Sequence, residues 1–292
     1  MIDRVVVIGS SGQLGHDLVE GLRAADRFEV IALDHSRIEC TELASARQVL
    51  LPLKAQTIIN CAAFVRVDDC ESLAREAFAV NAIGALNVAR LAAESGAKCV
   101  YISTDYVFDG GKDSPYLESD VTAPINVYGA SKLAGEHLVE QAAPDWSVVR
   151  VASLFGKTGA RGKGGNFIET ILARARKGEP LKVINDIQIS PTYTRDAAQA
   201  IAQLIGGDAR GIIHAANSGS CTWFEFAKAA LELCQLAVPL EAVASSQFPT
   251  PARRAKNSAL ASARLQREFA ITMPHWRNAL GAYLAEKGYL PS

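Results

Sequence analysis

The chain has 292 residues, 49% of them hydrophobic, enough to bury a full core in one large domain or in a large domain with a smaller appendage. Lys and Arg number 30 against 31 Asp and Glu, with no run of like charge, so the sequence lacks the electrostatic footprint of a nucleic-acid or anionic-membrane binder. A small soluble partner is expected instead.

The N-terminal "MIDRVVVIGSSGQLG" has neither the basic flank nor the long apolar stretch of a signal peptide, and no later segment is apolar enough to span a bilayer. Cys40, Cys61, Cys70, Cys99, Cys221 and Cys234 are scattered, with no CxxC or Cys/His spacing. They are expected to be reduced packing residues of a cytoplasmic protein, with no disulfide and no metal.

In chain order, short β-branched runs alternate with longer Ala/Leu-rich segments of helical period. The pairs are "RVVVIG" then 13–24, "FEVIAL" then 42–51, "TIIN" then 71–95, and "KCVYIS" then 128–142, closing with "WSVVRV". Strict strand–helix alternation predicts an α/β fold, a Rossmann-type doubly wound parallel sheet covered on both faces. After residue 151 the rhythm loosens into helices near 166–177 and 194–205, the strands "LKVI" and "GIIHAA", a helix opening at "CTWFEF" and two closing helical segments. Residues 1–151 are therefore expected to form an NAD(P)-binding domain. Residues 152–292 are expected to form a smaller, mainly substrate-binding α/β lobe, interleaved with elements returning to the first sheet.

Gly9, Gly12 and Gly15 follow the first strand at the mouth of the first helix, where they allow a tight turn, close approach of a pyrophosphate and close helix–strand packing. Asp34 closes the second strand, where a Rossmann unit places an acid on the adenosine ribose. Arg37, close by, suits a 2′-phosphate instead, so NADPH and NADH are both open as cofactor. The fourth strand ends in "STDYVFDG", which puts Ser103, Thr104, Asp105 and Tyr106 at the ligand-binding edge of the sheet. Farther on, "YGASK" sets Tyr128 and Lys132 four apart on one helix face. An ammonium there is expected to lower the Tyr128 phenol pKa toward working pH, as a general acid for carbonyl reduction requires.

With these motifs the chain resembles an extended short-chain dehydrogenase/reductase, and specifically the dTDP-4-dehydrorhamnose reductase family, which makes dTDP-L-rhamnose for cell-surface polysaccharides. The resemblance runs through "GSSGQLG", "TIINCAAFVRVDDCE", "STDYVFDG", "NVYGASKLAGE", "SPT" and "FPTPARRAKNSAL" to Trp276. It implies Thr104, Tyr128 and Lys132 as the catalytic group, with Tyr128 protonating the C4 oxygen, Lys132 holding the nicotinamide ribose and Thr104 bonding the reacting oxygen. Gln13 and Leu14 would lie under the pyrophosphate, and Cys61, Ala62 and Ala63 beside the adenosine. Asp105, Tyr106, Asn166 and Arg254 would face the sugar nucleotide. A homodimer is implied as well.

The substrate lobe departs from the family pattern. Ser153 replaces a usual tryptophan, Ile187 and Ile189 replace Gln and Gly, and Ala255 replaces proline, while Arg161 and Lys163 make one loop basic. These changes bear on which sugar nucleotide is bound, so another deoxysugar-nucleotide 4-ketoreductase is an alternative. A second alternative, of a different class, is a non-catalytic NAD(P)-binding regulatory subunit resembling the β subunit of methionine adenosyltransferase.

Overall fold

Along β1 (Asp3–Ile8), Val5 and Val7 point to one layer while Val6 and Ile8 point to the other, and all four are essentially fully buried. A strand buried on both faces needs a helical layer on each side. The structure, a computed structural model, describes residues 2–158 and 165–291. In it β1, β2 (Phe28–Leu33), β3 (Thr57–Asn60), β4 (Lys98–Thr104), β5 (Trp146–Val151) and a sixth strand, Gly211–His214, form one sheet. Their spatial order is sixth, β5, β4, β3, β1, β2, and every pairing is parallel. The chain leaves β1 for one edge and returns as β3 on the other side. The crevice of this doubly wound sheet therefore opens at the carboxyl ends of β1 and β3.

The helices are α1 (Gln13–Ala24), α2 (Leu43–Leu50), α3 (Val67–Ser72), α4 (Ala74–Phe78), α5 (Ala85–Ser95), α6 (Val127–Ala142), α7 (Phe167–Arg176), α8 (Thr194–Ile205), α9 (Trp223–Leu233), α10 (Ala263–Phe269) and α11 (Trp276–Glu286). Leu18 and Leu22 of α1 and Ile201 of α8 cover the Val5/Val7 face. Leu50 of α2, Val88 and Leu91 of α5 and Val139 of α6 cover the other. A separate core of Phe155, Ile171, Tyr193, Phe226, Trp276 and Tyr283 binds α7, α9 and α11 together. Trp276 is thus a packing residue, tilted edge-on to Phe226.

One predicted element differs. The helical period over 71–95 predicts a single helix, but the backbone breaks at Leu73 and winds as a π turn over Ala79–Gly84 before α5 begins. Tertiary hydrogen bonds favour that turn. Asn81, wholly buried, accepts from the Phe64 N–H at 2.8 Å and donates to Ser131 Oγ at 2.9 Å, while its carbonyl accepts the Tyr101 hydroxyl at 2.7 Å. Such π turns recur where a functional surface must be shaped.

Beneath α6 lies a buried ion pair. Arg150 of β5 holds Glu136 of α6 through Nε at 2.9 Å and Nη2 at 2.6 Å, and the Ser103 hydroxyl donates to the same carboxylate. Removing one partner strands the other charge away from water, which costs about 3–5 kcal/mol. Glu136→Ala should accordingly lower the thermal midpoint by several degrees, and an unchanged midpoint in calorimetry would contradict this account of the α6–β5 contact.

Candidate functional site

The β1–α1 turn is held by backbone geometry. Gly9 has φ +76°, and a Cβ there would stand 2.9 Å from the Ala62 nitrogen, while a Cβ on Gly15 would overlap the Gly9 carbonyl. Gly9 and Ser10 N–H groups both donate to the Leu33 carbonyl, at 2.8 and 3.1 Å, tying the turn to the end of β2. Gly12 caps α1 without a side chain, so the first-turn amides of Gln13, Leu14 and Gly15 can take an anion as their partner. The Gln13 amide nitrogen is buried at the same point with no hydrogen bond. An orphaned donor beside an open helix start fits a dinucleotide pyrophosphate.

At the end of β2, Asp34 Oδ1 accepts from the Ser36 N–H at 3.0 Å and the Ser36 hydroxyl at 2.6 Å. Arg37 is exposed in the same turn, with Nη1 on the Ala32 carbonyl at 2.7 Å. At the end of β3, Cys61, Ala62 and Ala63 are half-buried, and Ala62 N–H donates to Asn60 Oδ1 at 3.1 Å. Burial pushes the Cys61 thiol up to about 12, against the opposing pull of Lys132. Cys61 therefore adjoins the Gly9 turn, and its thiol lies within the field of the Lys132 charge.

The β4 end and the start of α6 form the other half of the site. Asn126 caps α6 by accepting from the Gly129 N–H at 2.8 Å, and a Cβ on Gly129 would overlap the Tyr106 carbonyl, so this helix turn lies directly on the β4 terminus. The Tyr128 and Tyr106 rings meet edge to face, 5.5 Å apart. Lys132 is 2% exposed, with Nζ donating to the Ile102 carbonyl at 2.6 Å and lying 3.9 Å from the centre of the Tyr101 ring. Lys132 is buried and Tyr128 is half-buried.

Their electrostatics correct one expectation. The Tyr128 phenol is pushed well up, not down, because burial dominates and Asp105 adds to it, while a hydrogen bond with Thr104 opposes them. Burial also lowers the Lys132 amine to about 7, with Glu136 supporting its charge. The i, i+4 argument neglected this shared loss of solvent.

The C-terminal segment closes over this end. Arg254 grips Asp68 of α3 through Nη2, 3.0 Å from each carboxylate oxygen, and its guanidinium lies 5.9 Å from the centre of the Tyr106 ring. Asn126 Nδ2 donates to the Arg253 carbonyl at 2.9 Å. Sequence reasoning missed both anchoring side chains, although "DD" at a helix start and Asn before "VYGASK" were the available signals.

The remaining residues divide. Asn166 is committed to structure: its Oδ1 accepts from the Glu169 N–H at 3.0 Å as the α7 cap, and its Nδ2 donates to the Gly156 carbonyl and the Tyr283 hydroxyl. Ser153 is half-buried with φ +41°, an uncommon conformation for a non-glycine residue. Ile187 and Ile189 are buried in the α7–α9–α11 core, and Ala255 packs against Gly110. Arg161 and Lys163 lie outside the described residues.

A family profile described as the RmlD substrate binding domain matches residues 3–288. The dTDP-4-dehydrorhamnose reductase of Mycobacterium tuberculosis is 39% identical over 97% of this chain and 93% of its own length. The spore coat polysaccharide biosynthesis protein SpsK of Bacillus subtilis is 37% identical over 97% and 98%. Among solved structures, the dTDP-4-dehydrorhamnose reductase of Bacillus anthracis in complex with NADP superposes with a TM-score of 0.92 at 36% identity, covering 98% of this chain and all of that one. Matched in sequence and fold along nearly its whole length, the chain belongs to the RmlD substrate binding domain family, that of the dTDP-4-dehydrorhamnose reductases.

Proposed function

We propose that the protein reduces the C4 ketone of a nucleotide-linked deoxysugar, dTDP-4-dehydro-L-rhamnose before others, to dTDP-L-rhamnose, using NADPH or NADH. The observation that carries this reading is the packing of the first turns of α6 on the β4 terminus beside Thr104, which brings the Tyr128 ring to Tyr106 and the Lys132 amine to the Ile102 carbonyl. It favours an enzyme over a regulatory nucleotide-binding subunit. In this reading residues 1–151 hold the dinucleotide and residues 152–292 mainly hold the sugar.

When bound, the nicotinamide supplies the hydride. The chain supplies the proton and the geometry. Tyr128, kept protonated at neutral pH by burial, gives its proton to the C4 oxygen. The Thr104 hydroxyl steadies that oxygen and the tyrosinate left behind. Lys132 holds the ribose and offsets the developing phenolate charge. Gly9, Gly12, Gln13, Leu14 and Gly15 cradle the pyrophosphate, and Ala62 and Ala63 lie along the adenosine. Arg254 engages the sugar-nucleotide diphosphate, sharing its guanidinium with Asp68. Tyr106 and Asp105 complete the sugar side, and Ser153 opens room where an aromatic ring would stack.

The six free cysteines support a cytoplasmic setting, the name of the B. subtilis relative supports polysaccharide synthesis, and family resemblance supports a homodimer.

Tyr128→Phe should lower kcat by about 10²–10⁴-fold while cofactor affinity changes little, as loss of a general acid does. Reduced-nicotinamide absorbance followed with a panel of dTDP-4-keto-hexoses checks it; wild-type protein inert on the whole panel would overturn the reading. Arg37, exposed beside Asp34, is the side chain placed to hold a 2′-phosphate where the cofactor carries one. Arg37→Ala should raise KM for NADPH about tenfold, equivalent to about 1.4 kcal/mol, and leave KM for NADH nearly unchanged. Equal effects on both cofactors would remove Arg37 from that role.

A further inference from the structure

Thr104 has one hydroxyl proton and two oxygen lone pairs. One lone pair is fixed, because the Tyr106 N–H donates to Oγ1 at 3.2 Å. Asp105 Oδ1 lies 2.9 Å from the same oxygen, and the Thr104 hydroxyl acts on the Tyr128 phenol as well, opposing the upward push of burial. The direction of the single proton therefore depends on Asp105. An ionised carboxylate can only accept, so it takes the Thr104 proton and leaves nothing for Tyr128 or for a reacting oxygen. A carboxylic acid can donate into the second lone pair, and the Thr104 proton must then point the other way.

We propose that Asp105 is a positioning residue that works in its protonated form, donating to Thr104 Oγ1 and so turning the Thr104 hydroxyl toward Tyr128 and the substrate oxygen. The inference rests on the assignment of Thr104 and Tyr128 above. Asp105 is 2% exposed, and its Oδ2 is buried without a hydrogen bond, an arrangement that a lone carboxylate tolerates poorly and a carboxylic acid tolerates better. Burial raises its pKa from 3.8 to about 6, over the opposing influence of the Ser258 and Thr104 hydroxyls.

The groups facing Asp105 come from three directions. Tyr106 follows it in the chain, its phenol pushed up to about 12, and Tyr128 faces it from α6, pushed up as well, so both are neutral where Asp105 titrates. Ser258 approaches from the C-terminal segment. Beyond Tyr106, the paired Arg254 and Asp68 act in opposite senses. The sign follows from the upward shift: the acid form persists to higher pH than in a free Asp, and the aligned Thr104 is lost as pH rises through about 6.

Lys132, lowered to about 7, also loses its charge on going up in pH, so a falling wild-type limb alone does not single out Asp105. The comparison of variants does. Saturating kcat would be measured from about pH 5 to about pH 8 for wild type, Asp105→Asn, Asp105→Leu and the same pair in a Thr104→Val background. An asparagine amide donates to Thr104 at every pH, so Asp105→Asn should lose the limb attributable to Asp105 and exceed wild type several-fold at the upper end. Asp105→Leu should lose tenfold or more in kcat at the lower end, where wild type holds the acid form, and should fall no further as pH rises through about 6. In the Thr104→Val background the two Asp105 variants should be equivalent.

Difference infrared spectra of the resting protein give a readout independent of turnover. A carboxylic C=O band titrating near the Asp105 value should be present in wild type and missing in Asp105→Asn. A wild-type limb retained in Asp105→Asn, or equal behaviour of Asn and Leu variants that fold and bind cofactor normally, would overturn the proposal. So would absence of the infrared band. Failure of the reductase reading itself looks different: wild type would be inert on every substrate while the infrared band persisted.

Discussion

The buried ammonium of Lys132 is the constraint on which the rest of the site depends. A lone cation taken out of water is costly, and three features offset that cost: the Ile102 carbonyl at 2.6 Å, the Tyr101 ring face and the nearby Glu136 carboxylate. Each fixes a different element. The carbonyl belongs to β4, the Tyr101 hydroxyl pins the π turn through Asn81, and Glu136 is clasped by Arg150 of β5. Moving any of them would unseat Lys132. The sheet, the π turn and α6 are thereby locked in one register, and Tyr128, one helical turn earlier, is held over the β4 terminus.

The same loss of solvent acts on every ionisable group there, in opposite senses for acids and bases. It raises Tyr128 and Asp105, lowers Lys132 and leaves Cys61 a neutral thiol. At neutral pH the phenol therefore still carries its proton. In the proposed reduction, charge develops when that proton leaves, and Lys132 and Thr104 would meet it. A tyrosine pre-ionised by its lysine would have had no proton to give.

What could be read from residues alone was whatever depends on local pattern. The β-branched runs located the central strands because burial on both faces leaves a signature of continuous apolar residues, and the spacing of Gly9, Gly12 and Gly15 marked the turn because no side chain fits it. The division of 71–95 was illegible, because a π turn costs little in propensity and is chosen by Asn81, Tyr101 and Ser131, which are distant in sequence. Asp68 was hidden for the same reason: its partner Arg254 stands 186 positions away. Asn166 is ambiguous in sequence, since a cap and a ligand contact look alike there, and its bonds to Gly156, Tyr283 and the Glu169 N–H emerge only in the fold.

The departures from the family pattern now separate by burial. Ile187 and Ile189 are absorbed by the core around Phe226, whereas Ser153 is half-buried in a left-handed backbone conformation. The account's central claim is a direct transfer from nicotinamide to C4 of the sugar, with Tyr128 supplying only a solvent-exchangeable proton. The most direct measurement is the fate of deuterium from nicotinamide-C4-deuterated NADPH or NADH turned over with dTDP-4-dehydro-L-rhamnose. The account predicts one deuterium bonded to hexose C4 of the product, read by NMR; deuterium at any other carbon, or none in the product, would contradict it.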